Sequence, residues 1–127
     1  MVQYRPDAVS IYTAEGIETK HMKLTANQIR YILTIRRLDE TKHVIKSVDI
    51  ANEFDYSRAS VHKMMKNLKD LNYVSQEYYG SVKLTPAGKR AANDCLNKYN
   101  QLKEVLDPVI DVEDDYDLAI CNLIELL

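Results

Sequence analysis

The order of hydrophobic periods in this sequence predicts a mainly α fold with one small two-stranded β ribbon. Three observations carry that reading. Beyond about residue 24, apolar residues recur at the three- and four-residue spacing of an amphipathic helix in most segments. Strand-like alternation is confined to residues 73–85. With only 3 Gly and 3 Pro in 127 residues, the chain is ill suited to an all-β sandwich or to a Gly-rich phosphate loop.

The elements follow in order. Residues 1–23 have no clear period and are read as an N-terminal arm, with a break at Glu15-Gly16. From Thr25 to Leu38, Ile29, Ile32, Leu33, Ile35 and Leu38 make a helical stripe, and Thr25 or Asn27 is placed to cap it. Residues 39–46 read as a polar link. A short helix, SVDIANEF, opens at Ser47 and is expected to bury Val48, Ala51 and Phe54.

Asp55-Tyr56-Ser57 is a turn, and Ser57 is a good N-cap for the next helix. Between Arg58 and about Leu71, Val61, Met64, Met65, Leu68 and Leu71 fall on one side. Ala59, His62, Lys63 and Lys66 fall on the other, with Arg58 and Lys69 at its edge. This helix therefore has one apolar and one basic face. Strands are expected at 73–78 and 81–85, reversing at Tyr79-Gly80.

Thr85-Pro86 starts a long helix with Thr as cap and Pro in its first position. Its stripe is Ala91, Cys95, Tyr99, Leu102 and Leu106, and Pro108 ends it. An acidic stretch, DVEDDYD, precedes a last helix ending AICNLIELL, where carboxylates suit the helix dipole. Helix, short helix, turn, basic-faced helix, ribbon, long helix is the order of a winged helix-turn-helix. The expected division is an arm at 1–23, a winged domain at 24–92 and dimerisation helices at 93–127.

Charge follows the same division. The net charge of −2 hides 12 basic and 7 acidic groups in residues 24–92, net +5, beside 2 basic and 9 acidic in 93–127, net −7. Such asymmetry points to an anionic partner for the central part alone. The basic face of 58–69 is either a solvated helix face or a DNA contact, and its place before a ribbon favours DNA. In that geometry the basic-faced helix enters the major groove and the ribbon tip reaches the phosphates or the minor groove.

The segments SVDIANEF, SRASVHKMMKNLKDLNYV and YGSVKLTPAGKRAA resemble the DNA-binding domain of the DtxR/MntR family of metal-dependent repressors. Asp49-Ile50-Ala51, Ser57, Ser60-Val61, Met64, Leu68, Gly80, Leu84-Thr85 and Gly88 occupy the places of that family's pattern. The resemblance spans about residues 28–106 and implies double-stranded DNA as partner and a homodimer. It also implies a Mn²⁺ or Fe²⁺ switch with ligands on the first, long and last helices. Those places hold Arg30, Leu33, Tyr99, Cys121, Ile124 and Glu125 here. Arg and Leu cannot ligate such a metal. Cys121 and Glu125, spaced i, i+4, are weak candidates that do not make a closed site. No metal or other cofactor is expected.

The DNA-contacting set is thus expected to be Ser57, Arg58, Ala59, Ser60, His62, Lys63, Lys66, Tyr79 and Lys83. His62 is a base reader, a phosphate contact or merely exposed. The dimer-forming set is expected to be Tyr99, Leu102, Leu118, Leu123, Ile124 and Leu127. No Ser/His/Asp or Cys/His arrangement and no HExxH is present, so an enzyme is not expected. With no signal-like N-terminus, no apolar run long enough to span a membrane, and two cysteines lacking CxxC spacing, a cytoplasmic protein is expected. The leading reading is a homodimeric repressor on a palindromic operator. The alternatives are a Mn²⁺- or Fe²⁺-responsive repressor with an altered site, and a winged-helix protein-interaction module that binds no DNA.

Overall fold

The computed structural model describes residues 23–42, 44–77, 80–111 and 116–127. The expected arm, apart from Lys23, and the wing-tip Tyr79 lie outside the described residues, as do His43, Tyr78 and residues 112–115 of the acidic stretch. The described chain runs α1 (Ala26–Thr41), α2 (Ser47–Phe54), α3 (Arg58–Asp70), β1 (Val74–Gln76), β2 (Val82–Leu84), α4 (Pro86–Leu106) and α5 (Asp117–Leu126). This is a winged helix-turn-helix followed by two further helices.

Helix α1 is the centre of the molecule and serves two cores. Thr25 caps it in a capping box: the Thr25 Oγ1 accepts from Gln28 N–H at 3.2 Å, and Gln28 Oε1 accepts from Thr25 N–H at 2.8 Å. One face delivers Tyr31, Ile32, Ile35 and Leu38 to a core shared with Ile50, Val61, Met65, Leu68, Val74 and Val82. The other end delivers Ala26 and Ile29 to a second core with Cys95, Ile120, Cys121 and Ile124. The helix continues to Thr41, three residues past the last apolar position.

Two expectations of burial are corrected. In α2 the buried pair is Ile50 and Ala51, whereas Val48 is 44% exposed and Phe54 only partly buried. The side facing α1 and α3 is therefore the Ile50 side. In α4 the fully buried alanine is Ala92 rather than Ala91, with Gly88 and Cys95 one turn to either side. The strands are also shorter than expected, three residues each, pairing antiparallel with Val74 opposite Leu84 and Gln76 opposite Val82. Val82 N–H also donates to Ile45 O at 2.7 Å, tying the ribbon to the link before α2.

Gly88 is where α4 touches the ribbon. A Cβ there would stand 1.9 Å from Tyr73 O, so no larger residue fits without displacement. Thr85 caps α4 by accepting from Gly88 N–H at 2.9 Å, and its hydroxyl donates to Asn72 O at 2.6 Å. These contacts fix the ribbon against α4. Among the described residues no helix is long and apolar enough to cross a membrane.

Candidate nucleic-acid interface

The exposed surface of α3 is built by its opposite face. Val61, Met65 and Leu68 are buried, so Arg58, Ala59, His62, Lys63, Lys66 and Lys69 face outward. Ser57 fixes the start of the helix: its Oγ accepts from Ser60 N–H at 3.1 Å and donates to Ser60 Oγ at 3.0 Å. Both serines are exposed and remain near the helix N-terminus, where unpaired backbone N–H groups attract anions.

The position of α3 is held from several sides. Gln28 Nε2 donates to Asn67 Oδ1 at 2.7 Å, linking α1 to α3. Tyr31, Phe54 and Tyr56 form an aromatic cluster with centroid separations of 5.0–6.0 Å under the turn that leads into α3. Arg30 closes it, with its guanidinium 4.7 Å from the Phe54 ring centre and its Nη1 3.3 Å from Tyr56 Oη.

A groove of about 460 Å³ runs between the starts of α2 and α3 and the ribbon. It is lined by Lys46, Val48, Arg58, His62, Gln76 and Gly80, among others. Gln76 Nε2 lies 3.4 Å from both Ser47 Oγ and Gly80 O, joining ribbon and α2 across it. Gly80 adopts φ +75°, the left-handed conformation that the reversal requires. Lys46 and Gln76 are not among the sequence candidates, and Val48 is expected there as a core residue. The exposed Val48 is the signal: read as core, it hides a surface that belongs to this groove.

Among the cations, Lys66 lies 3.7 Å from Asp70 and Lys83 lies 3.8 Å from Glu77, all four side chains more than half exposed. Such loose surface pairs are worth little and exchange readily for a phosphate. Arg58, Lys63 and Lys66 come together on α3, and Lys83 stands on β2.

The remaining sequence candidates lie on the opposite side of α1. Tyr99 and Leu102 pack at the edge of the second core. Leu118 and Leu123 are exposed and Leu127 is 70% exposed, but Ile124 is buried inside its own chain. Cys121 is fully buried beside it, and Glu125 Oε1 accepts from Ala26 N–H at 2.7 Å, capping α1. Burial pushes the Cys95 thiol pKa up, and Asp94 adds to the shift.

Residues 23–82 match the model of the iron dependent repressor N-terminal DNA binding domain. The match covers a little under half of the chain. No curated protein matches the chain. Among solved structures, it is similar to IdeR of T. acidophilum, at 26% identity and a TM-score of 0.63, over 77% of this chain and 46% of that one. It is also similar to the manganese regulator SloR, at 22% identity and a TM-score of 0.66, over 81% of this chain and 48% of that one. The hypothetical protein SSo2273 of Sulfolobus solfataricus shares the fold at 21% identity and a TM-score of 0.57, covering 81% of this chain and 76% of that one. The matched regions span about half the length of IdeR and SloR.

Iron is named in the matched family and manganese in the description of SloR, and such a metal would need a convergent set of donor side chains here. The residues do not fit. Leu33, Ile124 and Cys121 belong to or pack on the apolar second core. Arg30 brings a cation, with its Nε 3.2 Å from Asp117 Oδ2. Glu125 is engaged by the N-terminus of α1. Among the described residues no three His, Cys, Asp or Glu side chains converge as a metal would need.

Proposed function

We propose that the chain is a sequence-specific, DNA-binding transcriptional regulator that acts in the cytoplasm as a homodimeric repressor on a palindromic operator. One observation carries this reading: the face of α3 bearing Arg58, Ala59, His62, Lys63 and Lys66 is exposed beside the ribbon, on the domain that matches a repressor DNA-binding family. The start of α3, Ser57 to His62, enters the major groove and reads base edges. Arg58, Lys63, Lys66 and the wing residues Lys83 and Tyr79 hold phosphates. Val48, an exposed apolar side chain among Lys46, Arg58 and His62, suits a thymine methyl.

Residues 24–92 serve as the DNA-binding part and 93–127 as the dimerising part. Leu118, Leu123 and Leu127 on and after α5, with Tyr99 and Leu102 of α4, meet the same surface of a second copy. Ile124 acts indirectly, by seating α5 on α1. A twofold arrangement would set two α3 helices about one DNA turn apart, roughly 34–36 Å. Regulation is independent of Mn²⁺ and Fe²⁺, because the second core and the Arg30–Asp117 pair stand where the resembled repressors place ligands.

The test is selection of binding sites from random duplex DNA by the purified chain, with Mn²⁺ and with chelator. Recovery of one inverted repeat under both conditions supports the reading. A repeat recovered only with Mn²⁺ would support the altered-site alternative. Failure to enrich any sequence, together with weak and salt-insensitive duplex binding, would support the protein-interaction alternative.

A further inference from the structure

We propose that a cleft on the outer face of α1 binds a small amphipathic organic anion, a carboxylate or phosphate monoester with an apolar body. The cleft measures about 550 Å³ and lies where α1, α2, α4 and α5 meet. That volume is within the usual ~300–1,000 Å³ of small-ligand sites. It is separate from the α3 face and does not depend on the DNA-binding reading.

Its chemistry is divided as an amphipathic anion requires. Three guanidiniums line it, Arg30 and the adjacent Arg36 and Arg37, all of α1. Leu33, Phe54 and Leu96 supply apolar wall. Each arginine already holds intramolecular acceptors: Arg30 Nε meets Asp117 at 3.2 Å and its Nη1 meets Tyr56 Oη at 3.3 Å, Arg36 Nη1 meets Glu40 at 2.9 Å and its Nε meets Asn93 Oδ1 at 3.1 Å, and Arg37 Nη2 meets Glu53. The guanidinium fork has five N–H donors, so each arginine keeps donors for a further acceptor. The Glu40 side chain is the weakest incumbent, because it is 63% exposed.

A second observation points to a ligand. Among the described residues Thr34 is the one buried polar residue, only 6% exposed, and it lines this cleft between Arg30 and Arg37 on α1. Among the described residues its hydroxyl makes no hydrogen bond. A buried hydroxyl without a partner is unfavourable, and an acceptor on a bound anion would satisfy it. The bound anion would take Glu40's place at Arg36, reach Arg37 and the Thr34 hydroxyl, and lay its apolar body on Leu33, Phe54 and Leu96.

The experiment is amide-resolved NMR titration of the full chain with four probes: octanoate, octyl phosphate, octanol and acetate. Octanoate or octyl phosphate should shift the amides of Leu33, Thr34 and Arg37, and whichever binds tighter identifies the headgroup. Octanol, lacking charge, and acetate, lacking an apolar body, should bind at least about tenfold more weakly. Glu40→Gln removes the competing carboxylate from an exposed position and should tighten octanoate about threefold. Arg37→Gln should weaken it roughly tenfold, and Thr34→Val about fivefold. Octanol binding as well as octanoate, shifts centred away from α1, or Glu40→Gln and Arg37→Gln both leaving affinity unchanged would overturn the proposal.

Discussion

Glu125, near the end of α5, accepts a hydrogen bond from Ala26 N–H at the first position of α1, 2.7 Å away. Two residues 99 positions apart thus complete one helix cap. The carboxylate meets the positive end of the α1 dipole, and together with the Arg30–Asp117 pair it brackets the apolar contacts of Ile120, Cys121 and Ile124. Helix α5 is therefore seated on its own domain before any dimer forms. Glu125→Ala should lower stability by roughly 0.5–2 kcal/mol, the usual cost of losing a side-chain cap. Urea denaturation followed by circular dichroism measures it, and an unchanged midpoint would show that the cap contributes nothing.

Gly88 lets the first turn of α4 approach the ribbon. Gly88→Ala places a methyl within the radius of Tyr73 O, a backbone atom that cannot swing aside. The expected loss is at least about 1–3 kcal/mol, as for other overpacked sites. Thermal unfolding of this variant beside Ala91→Gly, at a half-buried position of the same helix, separates the steric effect from helix propensity.

Asp107, at the end of α4, accepts hydrogen bonds from Tyr116 Oη and, at 3.1 Å, from Lys103 Nζ. These donors, Tyr116 foremost, hold its carboxyl below the ordinary carboxylate range. A depressed folded-state value means that the contacts are fully formed above pH ~4 and are lost as pH falls through the lowered value. Carboxyl NMR titration should show Asp107 deprotonating below the ordinary carboxylate range, and Tyr116→Phe should move it upward. Asp107 is exposed, Lys103 is half-buried and Tyr116 lies at the edge of the second core, so the global fold should persist through this transition.

Leu118 and Leu123 remain exposed after α5 has packed, and Leu126 and Leu127 are 75% and 70% exposed. Four such leucines on one short segment form the kind of apolar surface that a second copy covers. The intact chain should show a dimer mass by light scattering at tens of micromolar. The double variant Leu118→Glu/Leu123→Glu should be monomeric with an unchanged helical spectrum, because neither residue lies in the core.

Local elements were legible where the periodic residues were unambiguous. Ile29, Ile32, Ile35 and Leu38 mark α1, and Ser57 and Thr85-Pro86 mark two helix starts by the chemistry of their caps. Helix ends without apolar residues, such as Glu40-Thr41, carried no signal. In α2, apolar residues at 48, 50, 51 and 54 allow two faces in eight positions, and only packing against α3 selects Ile50 over Val48. The seating of α5 on α1 was not legible, since Ala26 and Glu125 meet only in the folded chain. Arg36 and Arg37 meet α2 and α4 in one cleft only in the folded chain.

The central claim is that the exposed face of α3 binds DNA without a metal. Fluorescence anisotropy on a duplex recovered by selection, titrated with salt, tests it most directly. Lys63→Ala and Lys66→Ala leave Val61, Met65 and Leu68 untouched, so both should fold normally. Each should weaken binding and reduce the slope of log K against log [salt] by about one unit. Affinity of the unmodified chain should be the same with Mn²⁺, with Fe²⁺ and with chelator. Unchanged affinity and slope in both lysine variants, or a metal-dependent gain of about tenfold, equivalent to ~1.4 kcal/mol, would contradict the account.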